Sequence, residues 1–364
     1  MGSNSFGTIF KITTWGESHG RALGVVIDGC PAGLSLSESE INQQLALRQP
    51  GKSAFTSPRK EEDKAEIYSG LFEGKTTGAP ISILIMNKDA DPSKYTPLKD
   101  KLRPGHANFT YLEKYGIFDY RGGGRASGRE TVCRVAAGAV AKKLLAHYNI
   151  EIAAYIKEIG GISLQNIDHA EMGELKTAIL QSPVFCPDTC SSEIMMAAIL
   201  AAKEEKDSLG GIVEAIATSL PAGLGDPIYE KLQANLAKAM FTLPAVKGFE
   251  IGSGFSAAKM QGSTHNDLFS TSNDKVITKT NFAGGILGGI STGMPLLMRV
   301  AFKPPSSIQK PQETLDLDKQ KTILEMPEGS RHDPCLAIRA VPVVEAMCAL
   351  VLADSLLMNR TARL

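Results

Sequence analysis

The 364-residue chain carries 39 Lys and Arg against 39 Asp and Glu, a formal net charge of zero. Such a chain has no global field to gather nucleic acid or an anionic membrane, so an anion site must come from locally clustered cations. A 43% apolar and 21% charged composition excludes disorder for the chain as a whole.

The first strand signal is Leu23–Asp28, followed by a Pro31-Ala-Gly-Leu34 turn. Ser37 and Glu40 form a capping-box pattern, with Leu36 and Ile41 as hydrophobic staple, and predict a helix to about Arg48 that ends before Pro50. Pro80–Met86 reads as a strand. Ser127-Gly-Arg-Glu130 is a second capping box, and Val132, Val135, Ala136, Val140, Leu144 and Tyr148 follow at helical spacing. Helices are expected near Glu171–Leu180 and Glu193–Lys206. A strand over Ile212–Thr218 precedes Pro221-Ala-Gly-Leu224, and Asp226-Pro227 is expected to cap a helix through about Met240. Leu296–Phe302 is a strand, and Pro342 is expected to open a helix from Val343 to about Arg360. The fold class is α+β. Gly24–Leu34 and Gly211–Leu224 share a strand–turn–helix pattern 190 positions apart, which is either coincidence or an internal pseudo-two-fold repeat.

The longest uninterrupted apolar run, 194–202, has nine residues, and a bilayer span needs about 20. The N-terminus lacks a signal-peptide pattern. Among the six cysteines, Cys186 and Cys190 are close, but no second Cys/His pair completes a zinc site. Reduced thiols, a cytoplasmic location, no metal and no membrane or nucleic-acid partner are the expectation.

Chemistry-bearing residues gather in four loops. Gly16-Glu-Ser18-His19-Gly20 satisfies the G-x-S-x-G pattern of a hydrolase nucleophile elbow, but only about one strand fits before it and His19 directly follows Ser18. The other reading is a polar turn with His19 as proton donor or acceptor. Arg103-Pro-Gly-His106 presents a cation beside a histidine, whose pKa should fall there and rise near a phosphate dianion. Asp119–Thr131 is a glycine-rich loop, with Arg121, Arg125 and Arg129, running into a helix that carries Arg134; backbone N–H groups and arginine forks favour an anion there. Arg331-His332-Asp333, with Arg339 beyond, offers an anion contact, a proton relay and an acceptor. Lys303-Pro-Pro-Ser-Ser307 adds backbone and hydroxyl groups suited to a polar ligand. These loops suit a phosphorylated, carboxylated small molecule better than a polymer. A serine hydrolase using Ser18 and a non-catalytic protein that binds such a molecule are competing classes.

Gly16–Gly20, Arg103–His106, Asp119–Thr131 and Arg331–Cys335, in this order and spacing, resemble the chorismate synthase family, and the similarity runs from Gly7 to about Leu357. The resemblance implies a single domain over 1–364 with a β-α-β sandwich fold, assembled as a homotetramer. It implies a monofunctional carbon–oxygen lyase acting on phosphates: anti-1,4-elimination of phosphate and a C6 proton from 5-enolpyruvylshikimate 3-phosphate gives chorismate, the last common step of the shikimate pathway to aromatic amino acids. The reaction needs reduced FMN without net redox change; an external reductant supplies the flavin, and NADPH serves only indirectly. By position, His106 would protonate the leaving phosphate, His19 would lie by flavin N1, and Asp333 would sit near N5 with Ser18 as a proton relay. Flavin contacts would come from Arg125, Ala126, Ser127, Pro244, Ala245, Gly288, Lys303, Pro304, Pro305, Ser306, Ser307 and Arg331, and substrate contacts from Arg48, Arg103, Arg129, Arg134 and Arg339. Many members have Ser and Asn at the positions of Ala126 and Pro244, and basic residues at those of Leu47, Gln49 and Ala54. The family's NADPH contact at the Ala54 position therefore lacks its cation here.

Overall fold

The computed structural model describes residues 3–51, 53–57, 59, 61–89, 92–164, 171–327, 329 and 332–363. Its helices are α1 (Glu38–Arg48), α2 (Asn108–Tyr115), α3 (Thr131–Ala146), α4 (Met172–Gln181), α5 (Thr189–Glu204), α6 (Leu232–Phe241), α7 (Gly262–His265) and α8 (Leu336–Asn359). Two five-stranded antiparallel sheets enclose them. The N-terminal sheet runs, edge to edge, Ser5–Phe6, Lys11–Gly16, Ala22–Asp28, Ile81–Met86, Ala65–Ser69. The C-terminal sheet runs Ile162–Ser163, Glu151–Ile159, Gly211–Thr218, Leu296–Phe302, Val246–Ile251.

Alternation sets the layers. Leu23, Val25 and Ile27 on one strand, and Ile81, Ile83 and Ile85 on its neighbour, point inward and are buried. Helix α3 packs on this sheet and α8 on the other, and the two helices pack on each other, so the order is sheet–helices–sheet. Small residues on α3 allow that approach: a Cβ on Gly138 would overlap Ala346 of α8. Helix α8 is long and apolar enough to cross a membrane, yet 83% of its most apolar 18-residue window is buried inside the molecule, so here it is the core helix. Its buried Asp354 accepts the backbone N–H groups of Thr8, Ile9 and Phe10 at 2.7–2.9 Å, anchoring the start of the chain.

The repeat is real and wider than the two turns. Gly211–Thr218 and Ala22–Asp28 are both the middle strand of their sheets. Around Pro31–Leu34, the Thr76 hydroxyl donates to Pro31 O (2.7 Å) and accepts Leu34 N–H (2.9 Å), while Gly33 N–H donates to Thr76 O (2.7 Å). Around Pro221–Leu224, Ser291 does the same to Pro221 O (2.7 Å), Leu224 N–H (2.8 Å) and Gly223 N–H (2.9 Å). The segments supplying these residues match as well: Gly70-Leu-Phe-Glu-Gly74-Lys-Thr-Thr-Gly78-Ala-Pro80 against Gly285-Ile-Leu-Gly-Gly289-Ile-Ser-Thr-Gly293-Met-Pro295, each ending at the next strand of its sheet.

Five helix expectations need correction. The Ser127–Glu130 box does not close: Ser127 caps only a 3-10 turn at Arg129 N–H, because the Glu130 carboxylate is taken by Thr14 and Arg134. Helix α3 ends at Ala146, so Tyr148 lies beyond it. Helix α6 starts at Leu232, after a tight turn in which Asp226 N–H bonds Glu230 O, so Asp226 and Pro227 do not cap it. Helix α8 starts at Leu336 and carries Pro342 inside its second turn; packing of the apolar helix against the C-terminal sheet and helices α1, α3 and α6 outweighs the one backbone bond that proline forfeits. Helix α5 begins four residues before Glu193, capped by Asp188. Strands Lys11–Gly16, Ala65–Ser69, Glu151–Ile159 and Val246–Ile251 were not foreseen.

Candidate active site

The N-termini of α3 and α8 open on one cavity of about 730 Å³. Of the expected site residues it is lined by His106, Asp333, Arg125, Ala126, Ser127, Pro244, Ala245, Lys303, Pro305, Ser306, Ser307, and by Arg48, Arg103, Arg129, Arg134 and Arg339. Ser18, His19, Pro304 and Gly288 are not part of its lining, and Arg331 lies outside the described residues. Residues from positions 48 to 339 thus meet in one place.

The turn after Arg103 is built by local bonds. Asn108 accepts Arg103 N–H at 3.1 Å and donates to Lys101 O at 3.0 Å. Asn108 N–H donates to His106 Nδ1 at 3.2 Å. An accepting Nδ1 leaves the proton of the neutral ring on Nε2. That Nε2 faces the glycine loop, where a Cβ on Gly123 would come within 3.1 Å of it. Burial, then Arg103, Lys303 and His332, hold the His106 pKa down at about 3, as expected for a histidine beside cations. His332, also on the wall, is held at about 4 by burial and Arg103. Arg103 donates to Ser307 Oγ at 2.6 Å, and Lys303 donates to Gly105 O at 3.2 Å, so a guanidinium, an ammonium and two hydroxyls form one corner.

The glycine loop is the opposite wall. Gly122, Gly123 and Gly124 all have positive φ (70°, 97° and 53°), and a Cβ on Gly122 would overlap the His19 ring. His19 therefore sits directly behind the lining. Its Nδ1 is 3.1 Å from Ser18 Oγ, and its ring meets Tyr95 edge-on at 5.1 Å. Ser18 is 95% buried and lies between two strands with no helix after it, so the nucleophile-elbow context is missing. Arg125 ties this loop to the N-terminal sheet through Gly16 O (3.0 Å) and Thr14 Oγ1 (2.8 Å). Arg121 turns away and pairs with Asp119 at the surface.

At the start of α8, Asp333 accepts Ser57 N–H and the Arg339 guanidinium, both at 2.8 Å. Arg48 has its Nε, Nη1 and Nη2 all engaged within the protein, to Thr131 (3.0 Å), Asp63 (3.0 Å) and Gly128 O (2.8 Å). Burial pushes its pKa down to about 9. Arg129 bonds Asn87 Oδ1 at 2.9 Å through Nε and Asp63 through Nη1, while its Nη2 is buried at the wall without a hydrogen-bond partner. That Nη2 is ion-paired with Glu61 Oε2 at 3.7 Å, beyond hydrogen-bond reach, which leaves hydrogen-bonding capacity for a closer anion.

Sequence reasoning missed Glu61, Asp63, Asn87 and Tyr95; His332, read there as a proton relay, does line the cavity. Asp63 lies in Lys60-Glu-Glu-Asp63-Lys64, a charge run that reads as a solvated face. Gln49, where a basic residue was expected, donates to Glu62 O. Among the described residues no group of three His, Cys, Asp or Glu side chains is arranged to hold a metal; Cys186 is buried and Cys190 exposed.

The chorismate synthase family model matches residues 10–357. Chorismate synthase of Protochlamydia amoebophila is 58% identical over 100% of both chains, and that of Methanosarcina mazei is 52% identical over 98% of this chain and 97% of its own. A crystal structure of chorismate synthase aligns with a TM-score of 0.77 at 33% identity, over 97% of this chain and 93% of that one. Fold and relatives place the chain among the carbon–oxygen lyases that act on phosphates. The chain belongs to the chorismate synthase family, enzymes of the shikimate pathway.

Proposed function

We propose that this chain converts 5-enolpyruvylshikimate 3-phosphate to chorismate by anti-1,4-elimination of phosphate and a C6 proton, with reduced FMN in the same cavity. The observation that carries this is the convergence of Arg103, Lys303, Ser306, Ser307, His106 and Arg129 on one cavity. The substrate bears two carboxylates and a phosphate, and these cations match it.

The flavin fits the walls. The glycine loop leaves no side chain between it and His19 or His106, and the 3-10 turns after Gly123 and Ser127 present backbone N–H groups. Arg125–Ser127, Pro244–Ala245 and Lys303–Ser307 would hold it, contacts through the backbone surviving the Ala126 and Pro244 departures. Reduced FMN, when bound, supplies electron density for C–O cleavage with no net redox change. The protein's share is placement and protons. His106 is neutral in the free enzyme, its proton on Nε2; a phosphate dianion arriving beside it raises its pKa, so the ring takes a proton from solvent at Nδ1, displacing the Asn108 N–H bond, and gives its Nε2 proton to the departing phosphate. Asp333, fixed between Ser57 N–H and Arg339, is the proton acceptor in this reading. His19, behind Gly122, would lie by flavin N1 and stabilise the reduced anion, and Ser18, 3.1 Å from it, would join Asp333 in the proton relay. Flavin reduction is left to an outside donor, consistent with Ala54 lacking a cation. Exposed Ile228, Tyr229 and Phe255 supply apolar surface for a homotetramer.

An anaerobic assay with chemically reduced FMN tests this. Release of phosphate with formation of chorismate is expected. No product under verified flavin reduction overturns it, and labelling of Ser18 by a fluorophosphonate would favour hydrolysis instead.

A further inference from the structure

We propose that Asp63 is a positioning residue that keeps the Nη2 donor of Arg129 open to substrate. The inference rests on the reading of Arg129 as a substrate contact. Asp63 is 98% buried, and its carboxylate lies between two guanidiniums: Arg48 Nη1 on one oxygen at 3.0 Å, Arg129 Nη1 on the other. Its backbone is left-handed, φ 46°, a conformation that persists only where the surroundings dictate it.

Asp63 is the junction of a continuous polar chain through the site. On one side, Arg129 Nε bonds Asn87, whose amide donates to Glu17 O (3.1 Å) and Gly20 O (2.8 Å), the turn that carries Ser18 and His19. On the other, Arg48 bonds Gly128 O and Thr131 at the start of α3, and Arg48 O accepts Arg339 Nε at 3.2 Å. Arg339 in turn holds Asp333. The turn of His19, the start of α3 and the start of α8 are thereby linked through one carboxylate.

The charge arithmetic gives Asp63 its task. Without it, Arg48 and Arg129 face each other as like charges in a buried place. Arg129 has an alternative partner close by: Glu61 Oε2 lies 3.7 Å from Nη2, outside hydrogen-bond reach. Asp63 binds Nη1 and Asn87 binds Nε, which fixes the guanidinium plane and keeps Nη2 from closing on Glu61. The donor stays available to an incoming carboxylate or phosphate.

The test is steady-state kinetics with reduced FMN, anaerobically, on wild type, Asp63→Asn, Arg129→Gln and the double variant. Asp63→Asn should raise KM for 5-enolpyruvylshikimate 3-phosphate roughly tenfold or more, the loss of one charge-assisted hydrogen bond, with kcat changed less than about threefold. Partial unfolding would lower kcat and leave KM alone. In the Arg129→Gln background, Asp63→Asn should raise KM no further. Asp63→Glu keeps the charge and protects folding; it should raise KM several-fold with the same non-additivity. Unchanged KM in both Asp63 variants, KM effects that multiply with Arg129→Gln, or insoluble protein from both overturns the proposal. A wild-type enzyme that turns over no substrate overturns the functional reading instead.

Discussion

The two halves of the molecule share a backbone device and differ in what surrounds it. The Pro31–Leu34 turn is clamped by Thr76, and the Pro221–Leu224 turn by Ser291, with hydrogen bonds that agree within 0.2 Å. Likeness continues into the central helices. Arg134 and Arg339 are each the fourth residue of their helix, and each reaches back to a carboxylate just ahead of it, Glu130 at 2.7 Å and Asp333 at 2.8 Å. The halves part at the loops. Glu130 is spent on Thr14, Arg134 and, at 3.7 Å, Arg125, and serves as wall. Among the described residues Asp333 holds a backbone N–H and one arginine, in a stretch that also brings His332 to the cavity. A duplicated scaffold thus carries chemistry that is not duplicated, which suits a substrate whose two ends differ.

The largest expected effect tests that asymmetry. His106→Ala should lower turnover by roughly 10²–10⁴-fold if the ring is a general acid, measured as chorismate formation, and a loss under tenfold would remove it from that role. Next comes acid sensitivity. His106 and His332 have folded pKa values of about 3 and about 4, below the ordinary histidine value of about 6.5, so the unfolded chain binds their protons first. Their contribution to stability is complete above about pH 6.5 and drains away as pH falls towards 4 and 3. Urea titrations at pH 7 and pH 5 should show wild type losing more stability than a His106→Gln/His332→Gln variant. Equal losses would remove these histidines as the cause.

The equivalence itself can be broken at its clamps. Thr76→Val and Ser291→Ala each leave a leucine N–H unpaired, half-buried at Leu34 and buried at Leu224, so both should cost about 1–3 kcal/mol in denaturant unfolding. A cost in one half alone would show that the halves share shape but not energetics. The smallest effect is Ser127→Ala, about 1 kcal/mol for the lost cap, accompanied by weaker FMN binding in a flavin titration. Unchanged flavin affinity would move the cofactor away from that loop.

Much of the scaffold was readable. The α1 capping box formed as written, with both reciprocal bonds, and four strands fell within a residue of their expected ends. What failed were helix starts at Ser127, Asp226 and Pro342. There tertiary partners outbid local signals: Glu130 is claimed by Thr14 and Arg134, and Pro342 is carried inside a helix whose burial overrides it. The site was legible where charge stood beside glycine, as at Arg103–His106 and Arg125–Ser127. Asp63 was not, since a buried junction and a solvated charge run have the same letters; only the folded chain reveals which side chain is enclosed. Arg48, expected among the substrate contacts, instead spends its donors on Asp63, Gly128 and Thr131.

Helix α8 has a consequence for biosynthesis. The helix that covers the apolar face of the C-terminal sheet, and the carboxylate that gathers the backbone of Thr8, Ile9 and Phe10, are encoded after residue 335. As the ribosome works from the other end, the strands between positions 151 and 302 emerge before their cover exists. The nascent protein must keep that greasy surface shielded until the helix arrives, which makes it a natural client for chaperones that do so during translation.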